Sequence, residues 1–245
     1  NRKHSFPTRR SSDLRSVFDP SSFARARLHG DNRGDVRAFL AARWIGRLLD
    51  ANCPMAEVRR LLFAESCGVP VVRPAMRQTA AWLALSFPWV AEELIDREPQ
   101  ILLEEGDAGG LGAEVLGRAL EAMVARLMAG EHFGLLDNLA LRRFGRTCPP
   151  DAIRELWNAH SDCTEVRNLL LRIVWLGEIG LLQDLAESAL RKLDLRSPSI
   201  GFATRALAAA GDSEAKLRLA AFLRDHATAI PSSVIWNAVQ DLFPE

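Results

Sequence analysis

The stretch Leu176–Lys192, LGEIGLLQDLAESALRK, and the stretch Leu207–Leu223, LAAAGDSEAKLRLAAFL, decide the expected fold because they follow one degenerate pattern. An offset of 31 residues superposes three pairs: Gly180 on Gly211, Leu176 on Leu207 and Ala189 on Ala220. In both copies short apolar segments are joined by a turn that contains glycine, and in the second copy an aspartate follows it directly. Such a pattern is typical of antiparallel helix pairs that stack on their neighbours, since each pair leaves an apolar face that only the next pair covers.

Outward from this repeat, almost every segment after Asp35 has the apolar period of an amphipathic helix. The spacing predicts one helix from Asp35 and a second through Val58 and Phe63 that ends at Cys67-Gly68, followed by an extended segment, residues 69–74, in which two prolines disfavour helix. Further helices are predicted at residues 75–86, 88–97, 113–129, 135–144, 150–160, 164–178, 181–193, 198–210, 212–227 and 231–243. The sequence therefore predicts an all-α, HEAT-like stack of antiparallel helix pairs, an α-solenoid. A short lead-in precedes it, in which residues 23–29 alternate like a strand.

The chain divides into four parts by composition. Residues 4–14, HSFPTRRSSDL, resemble a translated sequencing adapter, so we treat residues 1–14 as an artefact. Residues 15–34 are the lead-in and would be the end of a missing upstream module. Residues 35–105 form a first helical segment, the glycine-rich run Gly106–Gly112 is the best internal boundary, and residues 113–245 hold the HEAT-like repeats. We therefore expect a fragment of a longer protein.

Charge and composition exclude several classes of protein. The 245 residues include 31 basic and 31 acidic residues. Residues 1–14 carry four basic residues and one acidic residue, so the remainder has 27 basic and 30 acidic residues and a formal charge of −3. That balance argues against a strongly basic nucleic-acid binder. No apolar run reaches the roughly 20 residues of a membrane span, and four cysteines without pairing motifs favour the reducing cytoplasm.

Cysteine and histidine come closest to a metal site in Cys148, His160 and Cys163, with His132 as a distant fourth candidate. Structural zinc needs four tetrahedral ligands, usually paired at short spacing, and this set lacks a second close pair. We expect the cysteines to pack as small apolar groups, and we assign no metal site.

Other catalytic arrangements are incomplete. The Gly106–Gly112 run lacks the Lys-Ser/Thr ending of a phosphate-binding loop, and no G-x-S-x-G motif is present. Adjacent acids on a helix point in different directions, so the pairs Glu92-Glu93 and Glu104-Glu105 are expected on solvated faces. His160 and His226 lie near predicted helix C-termini, where a cation meets the negative end of the helix dipole. We therefore predict no enzyme activity and assign no catalytic or cofactor-binding residue.

Aromatic and basic residues are the remaining candidates for a binding surface. The six tryptophans recur on apolar helix faces and are expected in the core: Trp44, Trp82, Trp89, Trp157, Trp175 and Trp236. The most basic local patch could contact phosphate or an acidic partner, and it consists of Arg142, Arg143, Arg146 and Arg154. Because arginine outnumbers lysine 28 to 3, a bias typical of a GC-rich genome, this cluster carries little weight.

One segment resembles a known family. The run from Arg25 to Trp44, with the core Phe39-Leu40-Ala41-Ala42-Arg43-Trp44, is similar to a segment of bacterial NACHT-type STAND NTPases, although Ala38 stands where the family often has glutamate. The resemblance implies an ATPase module upstream, outside this chain, and C-terminal helical repeats that sense a ligand or hold the protein inactive. Members of the family often serve in antiviral defence or signalling and assemble on activation, so oligomers would form through the missing module.

The expected function is thus binding or regulation: a sensor or scaffold region that takes a protein partner or ligand on a concave helical surface. Two alternatives stay open. A free-standing HEAT-like adaptor would bind proteins and have no ATPase upstream. A HEAT-like DNA-repair glycosylase would need a basic concave face with an aromatic residue and an acid over a flipped base, which the charge of −3 disfavours.

Overall fold

The computed structural model describes residues 32–134 and 136–243, and this part of the chain is mostly helical. It holds thirteen α-helices, which are α1 (Asn32–Asp50), α2 (Met55–Leu62), α3 (Arg77–Ala84), α4 (Pro88–Arg97), α5 (Gln100–Glu104), α6 (Ala113–Met128), α7 (Asn138–Thr147), α8 (Pro150–His160), α9 (Thr164–Gly177), α10 (Gln183–Lys192), α11 (Pro198–Ala210), α12 (Ser213–Asp225) and α13 (Ser232–Leu242). Short 3-10 segments lie at Pro74–Met76, Ala108–Gly110 and Gly180–Leu182. No helix of the described ranges is long and apolar enough to cross a membrane.

A β-hairpin interrupts the helices near the N-terminal end and corrects the prediction of a long second helix. Strand β1 (Phe63–Ser66) pairs in antiparallel fashion with β2 (Val69–Val72), so α2 ends at Leu62. The two loop residues, Cys67 and Gly68, have φ of 53° and 79°, and two successive positive φ values give the tight turn whose twist suits a hairpin. The segment predicted as extended, residues 69–74, thus contains β2, and its hydrogen-bonding partner is β1, the strand directly before the turn.

The predicted helix boundaries hold best where proline starts the helix. Helices α4, α8 and α11 begin at Pro88, Pro150 and Pro198 and end where the sequence predicts. Proline is tolerated at the first helical position because its missing N–H has no acceptor there in any case. The strand-like residues 23–29 and the adapter-like residues 4–14 lie outside the described residues.

In the C-terminal half, alternate helices contact each other in succession. Helix α9 packs between α7 and α11, and α11 packs between α9 and α13. Helices α8, α10 and α12 also contact this series: α8 contacts α9, α10 contacts both α9 and α11, and α12 contacts α11. One continuous set of buried apolar side chains runs from α1 to α13.

Polar cross-links tie helices that are 29 to 36 residues apart in sequence. Arg154 of α8 holds Asp184 of α10, and Arg218 of α12 holds Glu187 of α10. Arg205 of α11 makes two hydrogen bonds to Asp241 of α13, of 2.6 and 3.0 Å. These helices are therefore held together by ion pairs as well as by apolar packing.

Candidate ligand-binding cleft

Helix α1 lines an open cavity, the α1 cleft, with a volume of about 370 Å³. Its α1 side consists of Phe39, Ala42, Arg43, Gly46, Arg47 and Asp50. These residues share one stripe of α1 because residues three and four apart lie on the same helix face. The opposite wall comes from Trp82 and Leu83 of α3, from the turn residues Leu85, Ser86 and Phe87, and from Asp107.

The floor of the α1 cleft is aromatic. The rings of Phe39 and Trp82 meet edge to face, with centroids 5.2 Å apart and planes at 78°. Both side chains are buried, so α1 and α3 are locked together here, and aromatic pairs of this geometry contribute about 0.5–1.5 kcal/mol beyond their burial. The indole Nε1 of Trp82 is buried and has no hydrogen-bond acceptor among the described residues. Gly46 keeps the floor open beside Phe87, whose ring would lie 3.3 Å from a Cβ at this position.

Two arginines stand on the α1 side of this floor without ionic partners. Arg43 and Arg47 are exposed, and no described residue accepts a hydrogen bond from either guanidinium or forms an ion pair with it. Asp50 follows Arg47 by three residues, a spacing that allows helical ion pairs, but no ion pair joins these two side chains. The guanidinium groups are therefore available to a ligand.

The arginines of the basic patch identified in the sequence form hydrogen bonds and ion pairs with other residues of the protein. Arg142 and Arg146 both donate to the Glu178 carboxylate, at 2.7 and 3.3 Å. Arg154 is paired with Asp184, and the guanidinium of Arg143 donates to the backbone carbonyl of Glu104 at 3.4 Å. These arginines join neighbouring helices, and their hydrogen-bond donors are at least partly occupied by groups of the protein.

A second cavity, of about 410 Å³, corrects the expectation that Glu104 and Glu105 lie on solvated faces. Both line this cavity with Asp35 and Asp137, and Arg143 is the one cation in its wall. Burial raises the pKa of Glu104, and the neighbouring Glu105 charge adds to the effect. Burial also raises the pKa of Glu105, against an opposing hydrogen bond from Gln78. Helix α5 ends between the two residues, so their side chains can turn to the same side.

The structure does not assemble the cysteine and histidine residues into a site. Over residues 32–134 and 136–243, no three His, Cys, Asp or Glu side chains form a group that could hold a metal ion. Cys148 is buried, and this burial raises the pKa of its thiol to about 12, which makes it unreactive as a thiolate. His160 is the last residue of α8, and His226 follows α12 directly, so both lie at helix C-termini as predicted.

The remaining candidates are structural. Gly106 has φ of 67°, and a Cβ there would meet Ala81 at 3.0 Å, so the glycine-rich run forms a tight turn against α3. In the adjacent acidic pair Glu92-Glu93, Glu92 forms an ion pair with Arg118 and Glu93 forms one with Arg97, so both carboxylates have structural partners.

The expectation that the tryptophans lie in the core is correct for four of the six. Trp82 and Trp157 are buried, and Trp89 and Trp175 are partly buried against the core. Trp44 and Trp236 are instead 61% and 64% exposed, because they lie on the outer faces of α1 and α13, the first and last described helices. An apolar helical period alone does not distinguish a face that is covered by a later element from one that is not.

Comparisons with protein-family models, with curated proteins and with solved structures find no match for this chain. The α1 cleft therefore rests on its own geometry. Sequence reasoning missed it because its residues come from three separate segments. The one local signal was the pair Arg43 and Arg47, one helical turn apart beside the apolar stripe of α1.

Proposed function

We propose that this chain is a non-catalytic binding module, a HEAT-like stack of helix pairs that serves as the sensor or scaffold region of a larger cytoplasmic protein. The observation that carries the proposal is the succession α7, α9, α11 and α13, in which each helix contacts the next but one in the chain. Stacked helix pairs present long, regular surfaces, and proteins use such surfaces to bind partners.

The chemistry of the α1 cleft agrees with binding. Its lining residues include no histidine and no cysteine, and Ser86 is its one hydroxyl group, without a histidine in the lining to activate it. Two unpaired guanidinium groups and an aromatic floor can hold a ligand without transforming it. This arrangement suits a module that reports or retains a ligand.

The same proposal extends to the parent protein. The resemblance of Phe39 to Trp44 to NACHT-type STAND NTPases supports an ATPase module encoded upstream. Extending the reading frame upstream of Arg15 tests this directly. A strand followed by G-x-x-x-x-G-K-[ST] is the expected result, whereas a native start codon near Arg15 would leave the free-standing adaptor as the better assignment. ATP hydrolysis by purified residues 15–245 would contradict the non-catalytic role.

Native-state hydrogen exchange at low denaturant tests the stacked arrangement. In a stack, each pair is stabilised by its own packing and by its neighbours, so terminal pairs open first. We expect the amides of α12 and α13 to exchange through a lower-energy opening than those of α7 and α9. A single opening free energy shared by all these helices would indicate a globular core and would overturn the stack.

The DNA-glycosylase alternative has less support. It needs free cations along a concave face, and the arginines of α7 and α8 are paired with carboxylates or carbonyls. Affinity for duplex DNA that falls steeply with salt would restore it.

A further inference from the structure

We propose that the α1 cleft binds a small ligand that carries one singly charged anionic group on a flat apolar body. Arg43 and Arg47 would hold the anion, and the rings of Phe39, Trp82 and Phe87 would contact the body. The inference rests on the proposed binding role and adds the chemical class of the ligand.

The size and walls of the cleft fit a small molecule. Its volume of about 370 Å³ lies within the range of roughly 300–1,000 Å³ that is usual for ligand pockets. Such pockets combine apolar walls with polar groups that fix orientation. Here about half of the lining is polar: helix α1, helix α3 and the turn at Leu85–Phe87 supply the apolar part, and α1 supplies the cations.

The two arginines are spaced for one anion. Arg47 lies four residues after Arg43, so the two side chains leave the same face of α1 about 6 Å apart along its axis. A guanidinium presents a planar fork of donors that matches carboxylate or sulfonate oxygens. An anion between the two forks would receive charge-assisted hydrogen bonds from both.

The acidic residues of the cleft limit the charge of the ligand. Asp50 lies about 10 Å beyond Arg43 along α1, so the Arg43 end is the favourable one for an anion. Asp107 also lines the cleft, but it accepts a hydrogen bond from the Gly109 amide and has a further partner within the protein. Asp50, one turn beyond Arg47, disfavours a polyanion such as a nucleoside triphosphate and favours a ligand with a single negative charge.

Most other arginines of the described chain do not offer this chemistry. Arg118, Arg154, Arg205 and Arg218 each hold a carboxylate of another helix. Arg37 has no partner among the described residues either, but it lies outside the cleft. Arg37 is therefore a matched control for the two cleft arginines, on the same helix and with the same charge.

A pair of fluorescent probes tests the inference in the whole chain. The probe 8-anilinonaphthalene-1-sulfonate has a flat body and one sulfonate, and N-phenyl-1-naphthylamine has the same body without charge. We expect the double variant R43Q/R47Q to weaken sulfonate binding at least tenfold and to change binding of the neutral probe less than twofold. R37Q should bind both probes like the wild type. Naphthoate should displace the sulfonate probe better than naphthyl phosphate does, and ATP should not displace it.

A second variant keeps the test independent of charge. Ser86 is exposed and lines the cleft, so S86W should fill the cavity and weaken both probes without disturbing the core. Sulfonate binding that is unchanged in R43Q/R47Q, or weakened equally by R37Q, would overturn the proposal, since the probe would then sit on an exposed apolar surface such as Trp44 or Trp236. The exchange experiment on α12 and α13 does not involve these side chains, so the binding-module proposal would stand or fall separately.

Discussion

Replacement of Gly145 by alanine is expected to destabilise the protein, although alanine is the better helix former. Gly145 lies where α7 crosses α9, and a Cβ at this position would be 2.8 Å from the Ile173 carbonyl oxygen and 3.0 Å from Gly177 Cα. Both atoms belong to the backbone of α9. The clash therefore cannot be relieved by turning a side chain, and the two helices must move apart.

The magnitude follows from two opposing terms. A Gly-to-Ala change within a helix stabilises it by about 0.5–1 kcal/mol, and less near a helix end such as this one. Overpacking a close contact costs about 1–3 kcal/mol. We therefore expect a net loss of about 1–2 kcal/mol, or a melting temperature roughly 2–8 °C lower for a chain of this size.

Gly117 provides the control. It is also buried in a helix, α6, but its Cβ would lie 3.6 Å from the Ala152 Cβ, an ordinary contact. G117A should therefore stabilise the protein by about 0.5–1 kcal/mol. Urea and thermal unfolding, followed by circular dichroism, would measure both variants. If G145A were as stable as G117A, the close approach of α7 and α9 would be wrong.

Three further predictions concern charged side chains. Glu178 follows the last residue of α9 and has a φ of 55°, in the left-handed region that favours glycine. Both E178G and E178A lose the contacts with the arginines, but only glycine adopts this backbone conformation without strain. In urea unfolding, E178G should therefore be more stable than E178A by about 1 kcal/mol. Because burial raises the pKa of Glu104 in the folded state, its charge opposes folding at neutral pH. E104Q should then raise the melting temperature at pH 7, and this gain should vanish as the pH falls through the raised pKa; a constant gain would contradict it. The Arg205 guanidinium lies 3.5 Å from the centre of the Trp175 ring and donates two hydrogen bonds to Asp241 of α13. R205A should therefore lower the local opening free energy of α13 by about 1.5–3 kcal/mol, which faster amide hydrogen exchange would show. The control R224A should change this exchange little.

The helices were predictable from the sequence wherever local signals mark their ends. Proline starts α4, α8 and α11, and the apolar period of the C-terminal segments is regular. The β-hairpin was not predictable in the same way. Phe63 continues the apolar pattern of α2, and only pairing with Val72 shows that it belongs to a strand. Long-range pairing overrides local propensity there.

The α1 cleft was less predictable than the fold because it depends on distances between segments. Trp82 and Phe87 lie more than forty residues after Phe39 in sequence, and no local pattern places them against it. The acidic cavity is similar, since Asp35 and Asp137 are a hundred residues apart. What the sequence offered was the residue types, and chain topology decided which of them meet.

Arginine shows why a count of charges does not locate a binding site. Several guanidinium groups that join two helices are paired with a carboxylate about thirty residues away in sequence, as Arg154 is with Asp184 and Arg218 with Glu187. Such cations stabilise the fold and offer little to a ligand. Arg43 and Arg47 have no such neighbour among the described residues, and both line the α1 cleft. The pairing state of an arginine, rather than the local number of arginines, therefore favours the α1 cleft over the more basic patch in α7 and α8.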